Sequence, residues 1–473
     1  MNTFVKGLFI LPLLFTLGCS CVSTDPSSAF SEVQKDVVRR TGRVIEWKTN
    51  SREDGEVEAK IQQMLKSELT VEQAVQIALL NNPRIQGIYE QLGVAQAQLV
   101  QAGLLKNPVF DMSLRFVEGP SSDYIIEMGV VKDFMDVLLV GIRKDLAEAQ
   151  LEITKSEVAG EVMNLAAQTQ MAFYFYQASL QTYQTNKEIA EAAELSFDAA
   201  QRLHNAGNIT NLALATERSL YEQTKLELAA SETEMLQNRE KLNTLMGLWG
   251  HNTGWETVPA LPALPKEQVD LTSFESRAIS NSLDLIAAGQ KMKMEAARMN
   301  IDTAELVFPE TAAGAEAERE GDGTWSVGPA FSAGIPIFDF GQAREAAGKA
   351  RLRKLWNDYT ALAIEIRSAA RSAKYRLVNA RKQADYYQQV IVPLSEEITL
   401  ETQLQYNAMQ LGVFQLLQAK QMEFGFRRNY INALRNYWLA RTELELLLDG
   451  HLVRGTVVNV STGGEMMMQS DGH

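Results

Sequence analysis

Few residues in this chain could do covalent or metal chemistry. Of 473 residues, two are cysteines, Cys19 and Cys21, and four are histidines, His204, His251, His451 and His473, scattered along the length. That set excludes a disulfide framework, a cysteine-rich zinc site and a His-based catalytic engine. Gly-rich phosphate loops, nucleophile elbows and paired-carboxylate constellations are missing as well, so the chain reads as a non-enzyme without a cofactor or a metal. The tail from Glu465 to His473 carries three consecutive methionines and a histidine, soft ligands of the kind copper(I) takes, but a solvated terminus explains it more simply. What remains is charge set in alternation. Arg115 follows Asp111 and Ser113 between Phe110, Met112, Leu114 and Phe116, and Glu127 lies between Ile126 and Met128. Glu316 and Glu318 alternate with Ala313, Ala315 and Ala317 in the same way. Arg115, Glu127, Glu316 and Glu318 on one water-facing wall could tune which ions pass it, although ordinary surface polarity gives the same pattern.

The elements that carry these residues are strands, because period-two alternation makes one apolar and one polar face. The turns Gly119–Asp123 and Glu320–Gly323 join them into two hairpins, at 108–135 and 310–338. A lone hairpin is marginal in water, and no other convincing strands are present. No stretch after residue 30 is long and apolar enough to be a membrane helix. Outward apolar faces therefore suit a β-barrel wall, yet four strands cannot close one, since the smallest membrane barrels have eight. Several chains must contribute.

The rest reads as helix of unusual length. Prolines number only 12. Residues 142–206 contain none, and at ~1.5 Å per residue they would reach about 97 Å. Residues 342–408 repeat the design with Pro393 inside, which predicts a kink. Val158, Val162, Leu165, Ala172 and Tyr176 form a heptad-like seam, and Phe173-Tyr-Phe-Tyr176 implies neighbours on two sides. Leu417, Phe424, Ile431 and Trp438 recur every seven residues on a return helix at 413–448. Acidic residues outnumber basic ones 59 to 45, a formal charge of −14, which argues against nucleic acid as a partner.

Two copies of one unit make up the chain. Asn81…Ile85 matches Asn281…Leu285, and Gly141 matches Gly341, both at an offset of 200. His204-Asn-Ala-Gly207 matches Tyr406-Asn-Ala-Met409 at 202. Thr70–Gln73 and Thr272–Glu275 read as capping boxes opening the two units. The resulting division is 68–247 for the first repeat and 269–450 for the second. A loop at 248–268 with Pro259, Pro262 and Pro265 joins them, and a tail follows at 451–473. His251, near Trp249 and Trp255 in that loop, reads as packing.

Residues 1–18 hold Lys6 and then an apolar run too short to span a bilayer, the pattern of an export signal. The run ends in Thr16-Leu17-Gly18-Cys19, which resembles a bacterial lipoprotein cleavage box. The resemblance implies a lipid on Cys19 and, with Ser20 next, sorting to the outer membrane. Residues 19–67 would then be an anchor and belt segment.

In order, these parts resemble the TolC/OprM-type outer-membrane factor family, over about residues 68–450. The most specific pieces are Ala78-Leu-Leu-Asn-Asn-Pro83, Pro336-Ile-Phe-Asp-Phe-Gly341, and Tyr406-Asn-Ala-Met409 leading to Leu416-Leu417-Gln-Ala419. The resemblance implies a mainly α chain with a small β part. In a homotrimer, four strands per chain would form one 12-stranded outer-membrane barrel, continued by a long α-helical barrel in the periplasm. Its implied role is a passive exit duct for substrates delivered by an inner-membrane pump (RND or ABC type) and a periplasmic adaptor. Membrane lipids are the other expected contact. The tips implied near Gly207 and Met409 would hold the gate, with Tyr406 matching a latching tyrosine. Gln415 and Gln418 stand where the family has aspartates, and Glu217, in the facing loop, is the acidic residue left to favour cations. The competing reading is a lipid-anchored periplasmic scaffold or adhesin without a pore.

Overall fold

The computed structural model describes residues 24–49, 52–116, 124–267, 269–307, 311–335 and 337–452. The expectations on the export signal, Cys19, Cys21, the turn at Gly119–Asp123, Pro336 and the methionine tail lie outside them.

Each repeat opens with a short helix, bends and continues as a longer one. Helix α3 (Val71–Asn81) begins at a true capping box, in which the Thr70 hydroxyl accepts from the Gln73 amide and the Gln73 side chain accepts from Thr70 N–H. Such a cap stabilises the helix by about 1 kcal/mol. Pro83 cannot extend α3, so the chain turns at Asn82, whose side chain caps α4 (Pro83–Gly103) through the Arg84 and Ile85 amides. In the second repeat α7 (Phe274–Asn281) and α8 (Leu283–Val307) bend at Ser282, which accepts from Leu285 N–H. The second capping box is absent: α7 starts at Phe274 with Ser273 in a left-handed conformation and no side-chain cap. Thr272 N–H instead donates to Asp270, an aspartate turn that competes with capping.

Two hairpins then pair edge to edge. Strands β1 (Val109–Phe116), β2 (Tyr124–Asp133), β3 (Ala312–Arg319) and β4 (Trp325–Ser332) form one antiparallel sheet in that order. Among the described residues, its outer strands β1 and β4 have no neighbour on one side.

Helix α5 (Met135–Asn205) leaves the sheet as 71 continuous residues, about 105 Å at ~1.5 Å per residue. It starts at Met135 rather than at 142, because nothing between the strand and Gly141 stops a helix. Helix α6 (Asn211–Met246) returns beside it. In the second repeat α9 (Gln342–Tyr386) runs on through a π-turn, Tyr387–Ile391, into α10 (Val392–Asn407), and α11 (Val413–Asp449) returns. Pro393, where a kink is expected, lies just after that π-turn, and the chain stays helical through it. The proline's missing N–H removes one rung of the ladder, and the wider π-turn adjusts the bonds before it. A π-turn takes in an extra residue, which accounts for one of the two positions by which the repeat offset grows from 200 near the sheet to 202 at the far turn.

Helix α5 is buried on two sides. Phe173, Tyr174 and Tyr176 are all buried; Tyr174 stacks on Trp438 of α11 (5.2 Å between centroids), and Tyr176 meets Trp255 edge-on (5.2 Å). The inter-repeat segment straps these helices from outside. Gln177 donates to Val258 O, Trp438 to Pro262 O, Arg381 to Pro265 O and Arg239 to Trp255 O. Of that segment's aromatic cluster only Trp255 packs, whereas Trp249 and His251 are exposed. Helix α1 (Ser27–Thr41) lies against α4 and α5, and α2 (Arg52–Leu65) against α3. Among the described residues no helix is long and apolar enough to cross a membrane.

Candidate functional site

Strand register sorts every side chain of the sheet onto one of two faces. Ser113 lies opposite Glu127, Glu127 opposite Glu318, and Gly129 opposite both Asp111 and Glu316. Since residues facing each other across a ladder share a face, Arg115, Glu127, Glu316 and Glu318 stand together on one side. Arg115 makes an ion pair with Glu127, and Ser113 Oγ donates to Glu127 Oε2 at 3.0 Å. Asp111 belongs to the same row and was not singled out by the sequence. Its carboxylate fills the space over Gly129, where a Cβ would come within 2.7 Å of Oδ2, and only the ladder register reveals that juxtaposition. With Asp133 at the end of β2, this face holds five carboxylates and one guanidinium.

The opposite face carries Phe110, Met112, Leu114, Phe116, Tyr124, Val130, Trp325, Val327 and Phe331, all exposed, with Phe331 at 81%. A contiguous apolar surface of this size is unfavourable in water and marks a partner or a bilayer. Charged on one side and apolar on the other except for Lys132 and Arg319 at the strand ends, the sheet has the sidedness of a membrane-barrel wall.

At the far end the two helix-to-helix turns are the same structure built twice. In the first, Ala206 N–H donates to Arg202 O, Gly207 N–H to His204 O and Asn208 N–H to Leu203 O. In the second, Ala408 donates to Leu404 O, Met409 to Tyr406 O and Gln410 to Gln405 O, every donor and acceptor 202 positions on. The turn needs a left-handed residue, supplied by Gly207 (φ 78°) in one and by Met409 (φ 59°) in the other. Tyr406, Gln415 and Gln418 are exposed around the second turn. Thr210 caps α6 through the Ala213 amide, and His204 Nε2 lies 2.6 Å from Asn211 Oδ1 across the first turn.

Glu217 does not belong to this group. It lies within α6, not in the loop, and is 4% exposed, accepting from Ser196 Oγ at 2.6 Å. The Ser196–Glu217 bond ties α6 to α5 above the turn, so this carboxylate faces a helix interior and not an opening. The spacing of α6 places Glu217 on the same face as Thr224 and Ser231, both buried, a heptad signal the sequence did offer.

Asparagines that mark the repeat close a joint within each copy. Asn81 Nδ2 donates to Met246 O (3.1 Å) and Gly247 O (2.8 Å), closing the end of α6. Asn281 Nδ2 does the same to Leu448 O (2.9 Å) at the end of α11. Arg40 of α1 adds Nη1 donations to Asn281 O (2.6 Å) and Asp449 O (2.8 Å). Burial among these groups, with Glu445 nearby, pushes the Asp449 carboxyl up to about 6 despite Arg40, Arg43 and Arg277. Between the repeats lies a groove of about 950 Å³, where Lys291 of α8 pairs with Glu157 of α5. No cluster able to hold a metal ion occurs among the described residues.

Residues 74–248 match the family described as Outer membrane efflux protein. No curated protein sequence matches the chain. Among solved structures, a membrane protein from Pseudomonas aeruginosa superposes with a TM-score of 0.68 at 18% identity, covering 80% of this chain and 92% of that one. The Campylobacter jejuni CmeC outer membrane channel gives 0.63 at 16% identity, covering 80% and 85%. The Neisseria gonorrhoeae MtrE outer membrane channel, solved in its open state, gives 0.62 at 16%, covering 80% and 89%. At such identities the shared property is the fold.

Proposed function

We propose that this chain, a member of the outer-membrane factor family by the efflux-protein domain it carries and the fold it adopts, is one subunit of a passive efflux duct through the outer membrane. The observation that carries this reading is the sheet: one face exposed and apolar, the other a row of carboxylates, and both edges open. Four strands of this kind satisfy their edge N–H and C=O groups only by closing with strands of further copies. A homotrimer of twelve strands meets that need. Asp111, Arg115, Glu127, Glu316 and Glu318 would then face water inside the barrel, and the apolar row would face lipid.

The helices continue the duct into the periplasm, where ~100 Å of helix is a length that can bridge to an inner-membrane pump through an adaptor. The pump drives transport, because a passive pore supplies no energy. At the tips, Gln415 and Gln418 put neutral amides where an acidic ring would attract cations, and Glu217 supplies no substitute. Lipid anchoring through Cys19 is part of the same proposal, with residues 1–18 as its signal.

Planar-bilayer conductance of the purified protein tests the duct. Discrete steps are expected, more cation-selective in Gln415→Asp/Gln418→Asp than in the wild type. Absence of steps from protein that extracts without detergent would favour a helical scaffold without a pore.

A further inference from the structure

We propose that the pocket enclosed by α5, α6 and α11 binds an oxyanion, a phosphate or carboxylate group, against the Arg435 guanidinium. The pocket is complete within one chain, so its test is independent of the duct reading. Only its outlook onto the inner wall rests on that reading.

The pocket measures about 440 Å³ and is lined by Ser179 and Thr182 of α5, Glu234 of α6, and Arg428, Asn432 and Arg435 of α11. The three residues of α11 follow at intervals of four and three, which stacks them along one face of the helix. On α5, Ser179 and Thr182 point away from Tyr176 and Gln177, which meet the strapping segment outside. In the duct the pocket therefore opens on the inner wall, where solutes pass.

The two arginines differ in what answers their charge. Arg428 Nη1 donates to Glu227 Oε2 (3.0 Å) and to Asn186 Oδ1 (3.4 Å), so it is neutralised and ties α11 to both α5 and α6. Arg435 has no ion pair among the described residues. Its Nε is buried without an acceptor, and its Nη2 donates to Asn436 Oδ1 (3.2 Å). Burial draws this guanidinium below the ordinary arginine range even with Glu234 nearby. A cation withdrawn from water is costly unless an anion answers it.

The surroundings answer it only in part. Arg435 Cζ lies 5.3 Å from the centre of the Phe175 ring, but Lys241 Nζ shares that ring at 5.9 Å. Two cations over one ring repel each other. Glu234 is exposed and forms an ion pair with neither among the described residues. One oxyanion would match the surplus charge, and the planar fork of a guanidinium suits it. The side-chain amide of Asn432 and the Thr182 hydroxyl, which make no hydrogen bond among the described residues, add neutral donors.

Packing does not call for these groups. In the first repeat the matching positions, 202 earlier, hold Leu226, Ala230 and Thr233. Helix α6 returns along α5 there without a guanidinium.

Titration calorimetry of the purified protein in detergent, with inorganic phosphate added at constant ionic strength, tests the pocket. One saturable site per chain is expected, weakened about tenfold by Arg435→Gln through loss of a charge-assisted contact. Asn432→Asp, one turn before Arg435, offers an internal carboxylate. It should abolish the titration and raise the thermal midpoint in phosphate-free buffer. A wild type that takes up no phosphate, or an Arg435→Gln protein that binds it as tightly, would overturn the proposal. Should Arg435→Gln fail to fold, Asn432→Asp decides alone, and unchanged affinity and midpoint there would overturn it too. Acetate identifies the source: competition by acetate assigns the pocket to carboxylate-bearing solutes, and phosphate binding without such competition assigns it to phosphate groups.

Discussion

Met409 occupies a backbone position that the matching turn fills with glycine. A left-handed conformation costs a side-chain-bearing residue about 1 kcal/mol, so Met409→Gly should slow amide exchange across Asn407–Gly412 by roughly fivefold. Gly207→Ala should speed it in the other turn by a similar factor. Both are read by hydrogen exchange, and equal rates in variant and wild type would mean that the turns are held by something other than their own backbone. Asp449 behaves differently, since its cost is electrostatic. Its folded-state carboxyl titrates near 6, above the ~3.9 of an unfolded aspartate, so the folded chain favours the protonated form. The stability this supplies is complete below about pH 4 and is lost as pH rises through 6. The thermal midpoint should therefore fall between pH 5 and pH 8, and Asp449→Asn should flatten that dependence.

At the scale of elements, the joints matter more than the long helices. Helix α5 needs no special device, because 71 residues without proline, buried on two sides, remain helical. Within each repeat the short opening helix meets the end of the return helix, and there Asn81 and Asn281 satisfy carbonyls that α6 and α11 leave open. Asn81→Ala removes two such bonds and should destabilise the protein by about 2 kcal/mol, Asn281→Ala by about 1 kcal/mol, measured by chemical denaturation in detergent. Gly450→Ala should be far worse: φ is 108°, and a Cβ there would overlap Asn281 O. Equal losses from all three would show that the joint is carried by packing instead.

Taken whole, one chain leaves edges uncovered in both its sheet and its helices. The sheet ends in unpaired β1 and β4, and the helices end in an exposed flank of α9 and an exposed face of α6. Closure by further copies would satisfy both sets of edges together. Inside the proposed barrel the row Asp111, Glu127, Glu316 and Glu318 outweighs Arg115. Glu316→Gln/Glu318→Gln should therefore lower cation preference in bilayer recordings without changing trimer mass. An unchanged reversal potential would place the selectivity elsewhere.

Sequence alone determined the element types. Period-two alternation made β1 to β4 legible, and scarce proline made α5 and α9 legible. Repeated asparagines exposed the duplication, because these are local properties of the chain. Residues 272–275 show the limit: a capping-box pattern is two side chains at the right spacing, and an aspartate two residues upstream took the Thr272 amide instead. Glu217 shows it again, since proximity to a turn in sequence does not say which way a helical residue points. Tertiary structure alone decided what depends on register between distant segments. It set Asp111 over Gly129 in line with Glu316, gave Asn81 and Asn281 their carbonyls, and left one flank of α9 bare. Those contacts join residues tens to hundreds of positions apart, so no local pattern can encode which of them meet.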